Sequence, residues 1–345
     1  MSIGKFLLRL GVGVCLAAWM ISEHEVQLSE IVARIATLPL AFLLGAIALD
    51  LLGQTFSAYR WARVSALAGH TAPFPRVWSV YFSGMFFNMC LPTSIGGDVV
   101  RVVGLGRHTG SKSAAFASVF MDRNIGLAAL LSIGLCSSLA VITTIQATFY
   151  GRLYQFPLWP LFVLLILGYI AANAVLFSER PFRLLIRLLT ALRLDFVARK
   201  TERLHAALQS YRLPWTAFIP AFLISAAYQF SEIALVWIMA DGIGIRVSPW
   251  VFGSLVPFQA VACLLPITFS GIGVREGVFC AILMGQLGPS VKDEALALSL
   301  IYFVGVVLVS GLIGGVVYMV SGMPRPAAAE MPEAVMDPVG SGPGA

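Results

Sequence analysis

Leu91-Pro92-Thr93-Ser94-Ile95-Gly96-Gly97-Asp98-Val99-Val100-Arg101 is answered, 174 residues later, by Leu265-Pro266-Ile267-Thr268-Phe269-Ser270-Gly271-Ile272-Gly273-Val274-Arg275-Glu276. Leu-Pro opens each stretch. A glycine stands five residues after the proline and an arginine nine after it. Both lie inside apolar segments, 77–107 and 250–288. Proline removes a backbone N–H and glycine loosens a helix, so the backbone should break at each motif. Exposed N–H groups at a new helix start can hold an anion. Each motif also supplies an arginine, whose fork suits phosphate.

The flanks repeat as well. Segment 38–58 corresponds to 215–240, and 115–147 to 294–322; Gln54-Thr55-Phe56-Ser57 is partly echoed by Gln229-Phe230-Ser231. The order "span, broken hairpin, span" therefore occurs twice, giving repeats of about 38–147 and 215–322. Three full spans separate the motifs (115–147, 157–178 and 215–240). An odd number inverts the second copy. Inverted repeats with broken helices are a transporter architecture, with the site near the midplane. The competing reading makes the motifs packing turns whose arginines snorkel to headgroups.

Composition agrees with a membrane chain. Of 345 residues, 59% are hydrophobic and 12% charged, against roughly a quarter charged in soluble domains. The mean hydropathy is +0.87. The expected fold is all-α: a polytopic bundle of about six full spans, near 5–22, 38–58, 115–147, 157–178, 215–240 and 294–322, plus the two broken hairpins. The run at 5–22 follows Lys5 and Arg9 but precedes no A-x-A site, so it reads as an uncleaved span. Residues 1–322 form one transmembrane domain. The tail 323–345, rich in Pro, Ala and Gly, reads as disordered.

Lys and Arg favour the cytoplasmic side. Most of the 23 basic residues fall on one side if both termini are cytoplasmic. Loop 179–214 carries eight basic and three acidic residues. Arg180, Arg183 and Arg187 recur at helical spacing, with Phe182, Leu185, Leu188, Leu189, Leu192 and Phe196 on the other face. This predicts an amphipathic helix lying against anionic headgroups.

Ionisable residues in apolar segments cost about 3 kcal/mol or more at the bilayer centre, so each is a functional candidate. Asp98, Arg101, Arg275 and Glu276 belong to the motifs. With Asn88, Pro92, Thr93, Ser94, Gly96, Gly97, Ser270, Gly271 and Gly273 they form the candidate substrate site. Asp122 and Arg123 lie near a span end. Asp50 and Glu232 lie mid-segment on the two equivalent spans, either binding protons or neutralising the arginines. No metal site is expected from five scattered cysteines and four histidines, and no cofactor or nucleic acid. Gly104 and Gly106, like Gly271 and Gly273, are isolated glycine pairs without the strand–helix context of a dinucleotide fingerprint. No nucleophile–base constellation or nucleotide loop is visible, so the chain is not expected to be an enzyme.

The stretch Phe87-Asn88…Leu91-Pro92-Thr93-Ser94-Ile95-Gly96-Gly97-Asp98…Arg101, with Gly271-Ile272-Gly273-Val274-Arg275-Glu276-Gly277, resembles the lysylphosphatidylglycerol synthase transmembrane-region family. That family is also described as flippase-like, and one branch is associated with hopanoid biosynthesis. The resemblance covers roughly residues 5–322. It implies lipid translocation or handling in a bacterial or archaeal inner membrane. In the synthases such a membrane domain is joined to a soluble acyltransferase-like domain. The tail 323–345, expected to be disordered, holds no such domain, so synthase activity is not implied, and neither is a particular lipid. The expectation is a flippase or transporter of an anionic, phosphate-bearing membrane lipid, with Arg101 and Arg275 on the headgroup. The rivals are a noncatalytic partner that recruits a lipid-biosynthetic enzyme through 179–214, and a membrane enzyme on a lipid-linked substrate.

Overall fold

The structure is a computed structural model that describes residues 39–67, 71–90, 96–149, 152–209, 215–264 and 271–321. The expected span 5–22 and the tail 323–345 lie outside the described residues, as do Pro92, Thr93, Ser94 and Ser270.

Helices dominate. In order they are α1 (Leu40–Leu67), α2 (Phe74–Cys90), α3 (Gly96–Thr109), α4 (Lys112–Ala140), α5 (Trp159–Phe177), α6 (Glu179–Ala191), α7 (Asp195–Gln209), α8 (Trp215–Gly242), α9 (Pro249–Leu264), α10 (Val274–Leu287), α11 (Lys292–Leu300) and α12 (Val309–Val320). A π-helical stretch, Ile301–Leu308, joins α11 to α12. Among the described residues, five rods are long and apolar enough to cross a bilayer: Leu40–Leu67, Lys112–Ala140, Trp159–Phe177, Thr216–Gly242 and Pro289–Val320. The shortest, α5, has 19 residues, about 28 Å at 1.5 Å per residue, close to the hydrocarbon thickness.

Both motif segments are broken as the Pro and Gly positions predict. Segment 77–107 becomes α2 and α3, and 250–288 becomes α9 and α10. Three membrane-length helices, α4, α5 and α8, lie between the hairpins.

The packing is reciprocal between the halves. The two opening helices, α1 and α8, cross each other, and a Cβ on Gly53 would meet the Oγ of Ser231 and the ring of Tyr228. At that crossing Gln54 Nε2 donates to Tyr228 Oη (3.1 Å), joining positions 174 residues apart. The first hairpin arm of each half then packs on the closing span of the other. α2 lies on α12, where Gly314 meets the Phe82 backbone, and α9 lies on α4, where Gly253 meets Ser137. Small residues let helix backbones approach closely where lipid gives no hydrophobic drive between helices. Within the first hairpin, Gly84 and Gly97 face each other so closely that a side chain on Gly97 would collide with the Gly84 carbonyl.

Two expectations need correction. The span drawn as 115–147 ends at Ala140; Thr144–Phe149 is instead a strand, antiparallel to Arg152–Pro157, with Thr144 opposite Pro157 and Phe149 opposite Arg152. The β-branched run Val141-Ile142-Thr143-Thr144-Ile145 disfavours helix and favours strand, and Ile142 turns the chain at φ 47°. The hairpin docks on the end of α10, where Thr144 Oγ1 donates to the Gly285 carbonyl (2.8 Å).

The single amphipathic helix drawn over 179–214 is two helices. α6 and α7 meet at a turn where Arg193 takes φ 57°. The Phe182 ring stacks on His205 with centroids 3.7 Å apart and clamps the two together. Leu184, Leu188, Leu192 and Phe196 remain exposed. Such leucines beside Arg180, Arg183 and Arg187 give the pair the amphipathic face expected of interfacial helices.

Candidate functional site

One cavity of about 1060 Å³ lies among α1, α2, α3, α4, α5, α8, α9 and the π stretch. Its walls have three chemically distinct regions.

The first is an arginine-rich cluster. Asp122 on α4 is buried and faces two guanidinium groups: Arg60 Nε lies 2.7 Å from Oδ1 and Arg101 Nη2 2.6 Å from Oδ2. Asp98, at the start of α3, pairs with Arg101 Nη1 (3.3 Å) and with Arg123 Nη2 (3.0 Å). Arg60 Nη1 also donates to Ser225 Oγ on α8 (2.6 Å). Three arginines thus face two carboxylates, an excess of one positive charge. Arg101 is held between two aromatic faces, 4.3 Å from the Trp61 ring centroid and 4.8 Å from that of Tyr81. Cation–π contact of this kind favours a delocalised guanidinium over an ammonium. Its Nε has no hydrogen-bond partner among the described residues. Arg123 is the accessible member, with its side chain 47% exposed.

The second region is carboxylate-rich. Asp50 on α1 accepts from Gln54 Nε2 (3.1 Å) and from the Ser310 hydroxyl of α12. Glu232 on α8 accepts from Tyr302 Oη (3.1 Å). Both acids are buried and neither has an ion-pair partner among the described residues.

The third region is apolar. Leu127, Leu130 and Leu131 of α4 face Leu164, Leu165 and Leu176 of α5. Leu164 lines the cavity and is 64% exposed, so the cavity wall is open beside α5.

The sequence candidates divide on this map. Asn88, Asp98, Arg101, Asp122, Arg123, Asp50, Glu232 and Gly271 line the cavity. Gly97 sits behind it, and its N–H donates to Asn88 Oδ1 (2.7 Å), so Asn88 caps the start of α3. Gly96 opens that helix. Arg275, Glu276 and Gly273 are not cavity-lining. Arg275 lies 4.4 Å over the Phe303 ring, and its Nη2 sits just behind Gly271, 3.6 Å from where a Cβ there would stand. Glu276 accepts the Gly273 N–H (2.6 Å) and the Ser299 hydroxyl (3.4 Å), which makes it the cap of its own helix, α10. The two motif arginines therefore do not occupy equivalent places.

The sequence reading missed Arg60, Gln54, Tyr81, Tyr228, Tyr302 and Ser310. The signal was periodicity. Asp50, Gln54, Ser57 and Trp61 recur at helical spacing on an apolar span, as do Ser225, Tyr228 and Glu232. A polar stripe on a membrane helix marks the face turned to a cavity. Arg60 falls just beyond the expected span 38–58, where basic residues flanking a membrane helix are ordinary.

A family model described as the lysylphosphatidylglycerol synthase TM region matches residues 6–314. The chain belongs to that family. No curated protein matches it. In this member of the lysylphosphatidylglycerol synthase TM-region family, the matched stretch takes in both hairpins and every residue of the cavity wall named above.

Proposed function

We propose that this protein moves an anionic, phosphate-bearing lipid across the inner membrane of its cell, acting as a transporter rather than an enzyme. The observation that carries this reading is the cavity's division into a cationic end and an apolar end that opens beside α5. A lipid is divided in the same way. The excess charge of the Arg60–Arg101–Arg123 cluster attracts a headgroup phosphate, and Arg123, half exposed, meets it first. Arg101 offers its spare Nε donor. The leucines of α4 and α5 accompany the acyl chains, which need not leave the bilayer. The volume, about 1060 Å³, reaches the top of the roughly 300–1,000 Å³ range of small-molecule pockets, enough for a headgroup and the first part of its chains.

The two halves form an inverted repeat in this reading, and the reciprocal packing of α2 on α12 and α9 on α4 supports it. Rocking of one half against the other about the α1–α8 crossing would expose the cavity to each side in turn. The basic α6–α7 pair lies on the cytoplasmic face, as do both termini.

The test is headgroup movement of fluorescent lipids in proteoliposomes, with anionic and zwitterionic headgroups, comparing wild type with Arg123→Gln and Arg101→Gln. Anionic lipid should move faster in wild type, and each variant should lose that preference. Equal movement of anionic lipid by wild type and both variants would overturn the assignment.

A further inference from the structure

Two buried carboxylates that line this cavity have no ion-pair partner among the described residues. Asp98 and Asp122 are matched with arginines; Asp50 and Glu232 are not. They stand on the two helices that cross, α1 and α8, and line the same cavity. Two ionised carboxylates buried in one cavity repel each other and each loses hydration.

The oxygens around them are almost fully assigned. Asp50 Oδ1 takes the Gln54 amide and Oδ2 the Ser310 hydroxyl. Glu232 Oε2 takes the Tyr302 hydroxyl. Glu232 Oε1 is left buried without a donor among the described residues. Glu232 is 5% exposed and lines the cavity. One oxygen short of a donor asks for one proton.

From this geometry we infer that Asp50 and Glu232 share a proton-binding site that couples lipid movement to a proton gradient. A proton passes from water to Glu232 Oε1 or to an Asp50 oxygen and later returns to water; no bond of the lipid is made or broken. The inference of a proton site stands on the pair itself, whereas its coupling role rests on the transport reading given above.

The surroundings connect this site to the arginines. Gln54 donates both to Asp50 and to Tyr228 Oη, and its Oε1 accepts from Tyr81 Oη (3.2 Å) on α2. The other face of Tyr81 supports Arg101. A change of charge on Asp50 thus reaches the headgroup cluster through one amide and one phenol. The other titratable or charged groups on the elements around the pair are Tyr228 on α8, Tyr302 on the π stretch, Cys263 on α9 and Arg60 further along α1, all lining the cavity, with Arg275 of α10 behind its wall. The π stretch Ile301–Leu308 carries Tyr302 and ends just before Ser310, the two hydroxyl donors to the pair. π segments inside helices frequently mark functional sites.

Glu232→Gln and Asp50→Asn keep shape and mimic the protonated acid, so both variants should fold. The first measurement is infrared difference spectroscopy of the purified protein in lipid nanodiscs across a pH titration. Wild type should show the carbonyl stretch of a protonated carboxylic acid appearing and vanishing with pH, and each variant should lose that band. An identical band in wild type and both variants, or none in wild type, overturns the proton site. The second is lipid movement in proteoliposomes with an imposed pH gradient. Wild type should respond to the gradient and Glu232→Gln should not. A carboxylic band with lipid movement indifferent to the gradient overturns the coupling. A band without lipid movement of any kind upholds the proton site and counts against the transport reading instead.

Discussion

In the first hairpin Arg101 lies between Trp61 and Tyr81, pairs with Asp122 and Asp98, and lines the cavity. At the same motif position in the second hairpin, Arg275 lies over Phe303, 3.9 Å from Glu276, behind the wall formed by Gly271. The helix starts differ too. α3 is capped from outside, by Asn88 of the preceding arm. α10 is capped from within, by Glu276 of its own first turn. One spacing of Leu-Pro, Gly and Arg has thus given a cavity-facing cluster in one copy and a self-capped helix start in the other. A repeat in sequence fixes where backbones break; the partners supplied by neighbouring helices fix what each broken end does.

The sharpest way to break this comparison is to remove the anchor of the first cluster. Asp122→Ala leaves Arg60 with Ser225 and Arg101 with Asp98 alone. Stripping one partner from a buried ion network costs about 3–5 kcal/mol, so thermal unfolding in detergent should fall markedly. No substitution at the second motif should match it. If Glu276→Ala proved equally damaging, the two halves would carry similar electrostatic loads and the distinction would fail.

How far the sequence could go follows from the same contrast. The division of each motif segment into two helices was legible because proline and glycine act on their own backbone. Five of the expected spans were legible because bilayer thickness dictates length. Asp98, Arg101, Asp122 and Arg123 were legible because charge in an apolar segment needs a reason. Arg60 was not, because its partners lie 62 and 165 residues away and its flank position already explained it. The strand at Thr144 was missed because hydropathy alone carried the segment past Ala140, although its β-branched residues argued otherwise. The role of Glu276 was hidden because a cap and a ligand carboxylate look alike in one dimension.

A smaller effect should separate the arginines by function. Arg101→Lys keeps the charge but loses the fork and the aromatic sandwich. Charge-assisted hydrogen bonds are worth about 1.5–3 kcal/mol, so anionic-lipid movement should fall roughly 10- to 100-fold. Arg275→Lys, measured alongside, should leave headgroup preference unchanged. If both variants lose that preference equally, the second arginine also reads the headgroup.

Gly271→Ala tests the wall between Arg275 and the cavity. Gly271 holds φ +76°, and a Cβ would meet Cys263 Sγ at 2.7 Å. The left-handed backbone alone costs roughly 1–2 kcal/mol. Stability should drop by more than that amount, and Gly271→Ala/Cys263→Ala should recover the steric part but not the backbone part. Complete recovery in the double variant would mean that the strain lay wholly in the contact.

The smallest effect belongs to Glu276→Gln. Its carboxylate accepts from Gly273 N–H and Ser299 Oγ, and a glutamine carbonyl can still accept one of these. What is lost is the negative charge at a helix start, which favours anions there, and with it the 3.9 Å pairing to Arg275. Losing a cap costs about 0.5–2 kcal/mol, and the retained carbonyl should hold the loss near the lower end. Unfolding in detergent should therefore shift slightly, with headgroup preference and gradient response intact. A large loss of lipid movement with little loss of stability would show Glu276 acting on the ligand or on protons, and the second hairpin would then be a working half of the site rather than only a self-capped helix start.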